Sequence, residues 1–176
     1  QKLQEIVKKE ITPMKEIRNS IYTMEEDRSI LESMFNANIE SLKVSLTENL
    51  FDSFSKAVSA IMASRKVFII GLRSSHSVAY YLYFMLKQFM DNAYLLNTAS
   101  WDIYDYLSEA NTQDILIAIS YSQYTALTGD VVKYCKKRGI KVVGVTDSIS
   151  SPIAVNSDIS LIAKNVPNAF SFVSAM

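Results

Sequence analysis

The sequence predicts an α/β fold: a three-layer α/β/α sandwich on a five-stranded parallel sheet, preceded by N-terminal helices. Three observations carry that prediction. After Ser64, apolar runs of four to seven residues alternate with longer segments of helical periodicity. Those runs are nearly continuous rather than alternating in polarity, which suits parallel strands covered on both faces. Their repeat of strand, helix and strand is the pattern of an α/β sandwich.

The elements follow in order. The opening stretch QKLQEIVKKEITPMKEI is helix-like and is broken by Pro13, so it reads as the tail of something that precedes it. From about Glu26 to Leu46, Ile30, Met34, Ile39, Leu42 and Leu46 recur at helical spacing. Asn49 is expected to interrupt the pattern. A second amphipathic helix then runs from Leu50 to Met62, with Phe51, Phe54, Val58 and Ile61 on one stripe. The predicted strands are 67–70 (VFII), 93–96 (AYLL), 115–119 (ILIAI), 140–145 (IKVVGV) and 159–163 (ISLIA). Helical segments fall at 75–90, 100–109, 124–138 and, briefly, 151–156, and Gly139 stands where a helix C-cap belongs. Residues 164–176 (KNVPNAFSFVSAM) offer turn residues and then aromatics without a closing helix, so truncation is expected there. The expected division is a helical linker remnant over 1–35 and an α/β domain over 36–176.

Charge excludes a simple nucleic-acid binder. Eighteen basic residues balance eighteen acidic ones, and residues 1–50 carry seven Lys/Arg against nine Asp/Glu. Cys135 is the single cysteine, which rules out an internal disulfide and a multi-cysteine metal site; between Tyr134 and Lys136 it reads as a quiet, partly buried thiol. No apolar run is long enough for a transmembrane helix and no signal-peptide pattern is present, so the expected location is the cytoplasm, with no membrane partner. Ten tyrosines and eight phenylalanines fill the core in this reading, with some left to face a partner subunit.

Two loops concentrate the polar chemistry. Ligands of open parallel sheets collect at the carboxyl ends of strands, near a switch in strand order. After the first strand comes Gly71-Leu72-Arg73-Ser74-Ser75-His76-Ser77. Gly71 permits a tight turn, and the N–H groups of Ser75, His76 and Ser77 would stand free at a helix start. That is an anion cradle or an ordinary serine N-cap. After the third strand, Ser120-Tyr121-Ser122-Gln123-Tyr124-Thr125 repeats the chemistry before another helix. Two hydroxyl-rich turns are harder to explain as two independent caps, and together they favour an anion site. Asn97, Thr98 and Ser100, and Thr146, Asp147 and Ser148, stand at other strand ends and could shape the pocket or form plain turns.

The chemistry that is missing also counts. Neither G-x-G-x-x-G nor G-x-x-x-x-G-K-[ST] occurs, so a dinucleotide or P-loop site has little support. His76 is the single histidine, and Asp102, Glu109 and Asp147 are the acids near candidate strand ends. No Ser–His–acid set and no metal cluster can be assembled, and no cofactor is called for. Binding without turnover is the better match.

The two loops resemble those of the SIS (sugar isomerase) domain, a Rossmann-like family with G-x-G-x-S after the first strand and S-x-S-G-x-T after a later one. Gly71 and Ser75 fit the first pattern, with Arg73 in place of its middle glycine and Ala79 at a small helix position. Ser120, Ser122 and Thr125 fit the second, with Gln123 in place of its glycine. Ser151-Pro152-Ile153-Ala154 followed by Asp158 resembles the family's SP-x-A…AD segment. The likeness spans roughly residues 40–176. More narrowly, the chain is similar to the effector half of RpiR-type bacterial transcription regulators.

That resemblance implies a sugar-phosphate effector held by Ser75, Ser120, Ser122 and Thr125, with Arg73, Ser74, His76 and Gln123 in the ligand-binding set. It implies homodimers or homotetramers paired through N-terminal helices, and DNA contact through a helix-turn-helix domain absent from this chain, not through the chain itself. Isomerase-type members carry an acid two positions after S-x-S-G-x-T, where this chain has Leu127, which weakens an enzymatic carry-over. The alternatives are a sugar-phosphate isomerase or lyase, and a dimerising scaffold that binds no ligand.

Overall fold

The computed structural model describes residues 27–96 and 103–166. Two helices open it, α1 (Asp27–Ser45) and α2 (Glu48–Met62). There follow β1 (Val67–Gly71), α3 (Ser75–Leu86), β2 (Ala93–Leu96), α4 (Ile103–Ser108), β3 (Ile115–Ile119), α5 (Ala126–Lys137), β4 (Lys141–Thr146), α6 (Pro152–Val155) and β5 (Ile159–Ile162). The five strands form one sheet in the order β2-β1-β3-β4-β5, every pair parallel.

Both faces of the sheet are covered, which is why its central strands read as unbroken apolar runs. β1 and β3 are buried along their whole length. One face packs Phe68, Ile70, Leu116, Ala118 and Val142 against Leu107 of α4, Val131, Val132 and Cys135 of α5 and Ile153 of α6. The other packs Val67, Ile69, Ile115, Ile117 and Val143 against Ala57 of α2 and Val78 and Ala79 of α3. The result is the expected three-layer sandwich. Cys135 is fully buried, and burial pushes its thiol up to about 12, so it stays protonated and inert.

Local signals account for the element ends. Gly139 takes φ +72°; its N–H bonds to Lys136 O and that of Ile140 to Cys135 O, a Schellman closure of α5. The Ser151 hydroxyl caps α6 by accepting from the Ala154 N–H at 3.0 Å, with Pro152 at the first helical position. The break between α1 and α2 is not at Asn49, which lies inside α2. It falls at Leu46–Thr47, because extended Thr47 accepts from the Leu50 N–H and restarts the helix. β4 runs one residue later than its apolar run predicts, and α3 ends at Leu86 rather than 90, the chain then turning through Met90. Asn97, Thr98, Ser100 and Asp102 lie outside the described residues, as do Pro13 and the aromatics after Val166.

At the amino end of the sheet, Arg65 grips buried Asp114 with two hydrogen bonds of 2.9 and 2.6 Å, tying the start of β1 to the start of β3. The carboxyl ends, by contrast, open into loops.

Candidate functional site

The strand order reverses between β1 and β3. β1 feeds β2 on one side, and the chain then returns to place β3 on the other. Gly71 pairs with Ile119 in register, so the loops after these two strands start side by side at the sheet's carboxyl edge. Between them lies a cleft of about 220 Å3 lined by Leu72, Arg73, Ser74, Ser75, Ser120, Tyr121, Ser122, Gln123 and Thr125. Seven of the eight residues singled out from sequence therefore meet in one place. His76 does not line this cleft. Its Nδ1 lies 3.3 Å from the Gly71 carbonyl oxygen, and its ring sits beside Tyr80.

Gly71 is needed for packing more than for a turn. A Cβ there would stand 2.5 Å from the Ser75 carbonyl oxygen and 2.8 Å from the Ala79 Cβ. Glycine at 71 and alanine at 79 let α3 lie close against β1 and bring its first turn to the cleft. The donors at that turn differ from expectation. The Ser75 N–H bonds to Leu72 O at 3.2 Å and the His76 N–H to Arg73 O at 3.1 Å, so both are engaged. Ser74, just before the helix, makes no side-chain capping bond, which leaves its hydroxyl for the cleft it lines. Ser75 and Ser120 are buried, at 4% and 3% exposure.

The second loop is held from β4. One Asp147 carboxylate oxygen accepts from the Ser122 N–H at 3.1 Å, and the other from the Tyr124 hydroxyl at 2.7 Å. Burial, with the bond to Asp147 and its charge behind it, pushes the Tyr124 phenol up to about 12. Burial also raises Tyr121, again with help from Asp147. Both tyrosines are neutral across the physiological range. α5 starts at Ala126 rather than at Tyr124, with Thr125 extended before it. The N–H groups of Thr128 and Gly129 turn back to Thr125 O, and those of Ala126 and Leu127 have no protein acceptor among the described residues.

Two backbone conformations stand out. Arg73 has φ 55° and Gln123 has φ 72°, the non-glycine residues with positive φ among those described. They occupy the two positions where the SIS pattern has glycine, one on each loop, and both line the cleft. Side chains have replaced glycine without releasing the left-handed backbone, at a cost of about 1–2 kcal/mol each. Ser74 follows Arg73 in the right-handed region, a left-right pair of the kind found in anion-binding turns, with the Ser75 N–H already bonded to Leu72 O.

Sequence reasoning missed the part played by Asp147. A single acid after β4 has no motif around it, and its partners lie more than twenty residues earlier in the chain. Among the described residues no group of His, Cys, Asp and Glu could hold a metal, and no helix is long and apolar enough to cross a membrane.

An all-parallel 2-1-3-4-5 sheet with a hydroxyl-lined cleft at its switch point defines a doubly wound α/β domain. The SIS domain family model matches residues 60–176, and the chain belongs to that family. Among curated relatives, the glutamine–fructose-6-phosphate aminotransferase of Pyrobaculum aerophilum is 32% identical over 108 residues, covering 61% of this chain and 18% of that enzyme. An uncharacterized HTH-type transcriptional regulator of Thermotoga maritima is 24% identical over 149 residues, covering 85% of this chain and 53% of the regulator. The chain thus spans about half of the regulator and under a fifth of the enzyme. Among solved structures, the sugar isomerase domain of an RpiR transcription factor from Sphaerobacter thermophilus superposes with TM-score 0.75 at 26% identity, covering 81% of each chain. The Vibrio vulnificus NanR protein complexed with ManNAc-6P does so with TM-score 0.71 at 20% identity, covering 90% of this chain and 59% of that one. The fold is that of regulator SIS domains.

Proposed function

We propose that this chain is the effector-binding and dimerisation domain of a transcriptional regulator, and that a phosphorylated sugar occupies the cleft between the β1–α3 and β3–α5 loops. The observation that carries the reading is the convergence of Ser74, Ser75, Ser120, Ser122 and Thr125 on one cleft at the switch point. Five hydroxyls and the N–H groups of Ala126 and Leu127 at the start of α5 supply donors, and no carboxylate lines the cleft itself. The NanR protein with ManNAc-6P on the same fold supports the ligand class. The regulator-named relatives support the context.

Signalling in this reading runs through the N-terminal helices. Asp147 holds the β3–α5 loop, and with Ser148 and Ile149 it also lines a groove shared with Thr47, Asp52 and Lys56 at the start of α2. α1 is tied to the exit of β5 by its serines: the Ser45 hydroxyl accepts from the Lys164 N–H at 2.8 Å and that of Ser41 from the Val166 N–H at 3.1 Å. Its other side is apolar and exposed, with Leu31, Phe35, Ile39 and Leu42 at spacings of three and four. A helix that turns serines inward and large hydrophobics outward is suited to a second subunit. Effector binding would bias how two such helices pair and so set the spacing of the attached DNA readers.

Isothermal titration of the intact chain against hexose and pentose phosphates tests the reading. Binding is expected for at least one sugar phosphate, weakened tenfold or more by Ser75→Ala with Ser122→Ala; no binding by folded protein sinks it. A second reading, sugar-phosphate isomerisation, draws on the aminotransferase likeness. The cleft lining holds no carboxylate and no imidazole to move a proton. Aldose–ketose interconversion abolished by His76→Ala would replace the regulator reading with an enzymatic one.

A further inference from the structure

The left-handed pair at the cleft is unusual in kind as well as in place. Residues tolerated at positive φ are glycine first, then asparagine and aspartate, whose short side chains bond locally. Arg73 and Gln123 belong to neither group, yet each keeps φ above 50°. Strained backbone persists where something else is gained, and such positions gather at ligand sites. Here both lie on one cleft, on facing loops, at the positions where the related pattern dispenses with a side chain.

Their chemistry is complementary. Arg73 is the single charged residue in the cleft lining, is exposed at its mouth, and makes no ion pair with any described acid. Its guanidinium offers a planar fork of donors, always charged, that fits two oxygens of a phosphoryl group. The Gln123 amide both donates and accepts, as a sugar hydroxyl does, so it can read a hydroxyl whichever way that group is oriented. The glycines of the related pattern could supply backbone contacts only.

We infer that Arg73 and Gln123 are the specificity-determining residues of this site. Arg73 selects a doubly charged phosphomonoester over an uncharged sugar, and Gln123 selects a hydroxyl-bearing carbon chain over bare phosphate. The inference rests on the sugar-phosphate reading above, but it assigns affinity to two side chains that the hydroxyl cradle does not need in order to form. It makes this chain a variant in which discrimination has moved from backbone to side chains.

The test is isothermal titration of the intact chain and of Arg73→Gly, Arg73→Gln and Gln123→Gly, with inorganic phosphate, fructose 6-phosphate, ManNAc-6P and fructose as probes. Both Arg73 variants should bind every phosphate at least tenfold more weakly. Gln123→Gly should hold inorganic phosphate within twofold while narrowing its gap to the sugar phosphates. The glycine variants should melt no lower than the parent, because the left-handed backbone suits glycine; if one fails to fold, Arg73→Gln alone decides the arginine half. Phosphate binding by Arg73→Gln within twofold of the parent overturns the arginine assignment and leaves the sugar-phosphate reading standing. An unchanged gap in Gln123→Gly overturns the glutamine half. A parent chain that binds none of the phosphates overturns the inference together with the reading beneath it.

Discussion

The Asp147 carboxylate receives the Tyr124 hydroxyl at 2.7 Å on one oxygen and the Ser122 N–H at 3.1 Å on the other. One side chain at the end of β4 thereby fixes two points of the loop that forms half of the cleft. Removing it should loosen the loop without touching the ligand. Asp147→Ala is expected to weaken sugar-phosphate binding about tenfold, the scale of a lost charge-assisted hydrogen bond at roughly 1.5 kcal/mol. Titration calorimetry measures this, and unchanged affinity would show that the loop does not depend on Asp147.

The burial of Tyr124, reinforced by its bond to Asp147, sets an alkaline limit. Tyr124 is pushed up to about 12 in the folded chain, while an unfolded tyrosine ionises near about 10. A raised value means that the unfolded state sheds its proton first as pH rises. The contribution is therefore complete below about pH 10 and is lost as pH climbs toward 12. Urea midpoints followed from roughly pH 8 to 11 should decline in the parent chain and decline less in Tyr124→Phe; equal slopes would separate Tyr124 from the effect.

Asp158 gives the opposite sign. Burial alone would raise its pKa, but the hydrogen bond from Lys136, the Val142 N–H at 2.8 Å and the charges of Lys136 and Lys141 outweigh it and lower the value. Its contribution is complete above the ordinary carboxylate range, at about 3.9 for an unfolded aspartate, and is lost as pH falls through the depressed folded value. Asp158→Asn should reduce stability at neutral pH and flatten the acid limb of the stability curve. An acid limb identical to that of the parent chain would mean that other carboxylates control it.

Much of this fold was legible because β1 and β3 are buried on both faces and cannot carry polar residues, so VFII and ILIAI announced themselves. Ser151-Pro152 and Gly139 were equally plain, since their cap chemistry is local. The break expected at Asn49 falls instead at Thr47, because its hydroxyl caps α2, and only the backbone decides which of these neighbouring polar residues does so. On the cleft, the hydroxyls could be read from two loops of similar composition. The left-handed state of Arg73 and Gln123 could not, because a departure from glycine says nothing about whether the backbone departs too. Asp147 stayed hidden for a different reason: its partners are set by the register of β3 against β4, not by neighbours in sequence.

Gly71 tests the packing behind the cleft. Alanine there would place a methyl 2.5 Å from the Ser75 carbonyl oxygen, a backbone atom that cannot swing away. Gly71→Ala should cost about 1–3 kcal/mol by overpacking. In a chain of this size that lowers the melting temperature by about 2–4 °C for each kcal/mol. Effector affinity should fall with it, since α3 must shift from β1 and carry Ser75 out of line. A variant with the parent's melting temperature would mean that α3 relaxes freely.

The outward stripe of α1 makes the last prediction. Leu31, Phe35, Ile39 and Leu42 are 56%, 62%, 45% and 41% exposed in the single chain, whereas Ser41 and Ser45 on the inner side are buried. Leaving four large side chains in water forgoes about 1.5–3 kcal/mol for each one that a partner could bury. A second copy offering the same stripe would recover much of that by pairing about a twofold axis. In the proposed dimer, Phe35→Glu with Ile39→Glu should therefore shift the chain toward monomer in light scattering, with the far-UV helix signal retained. The cleft shares no residue with the stripe, so any change in sugar-phosphate affinity on going to monomer reads the coupling between pairing and binding directly. An unaltered oligomer would place the subunit contact elsewhere, with the exposed aromatics of α3, Tyr80, Tyr81 and Phe84, as the next surface to change.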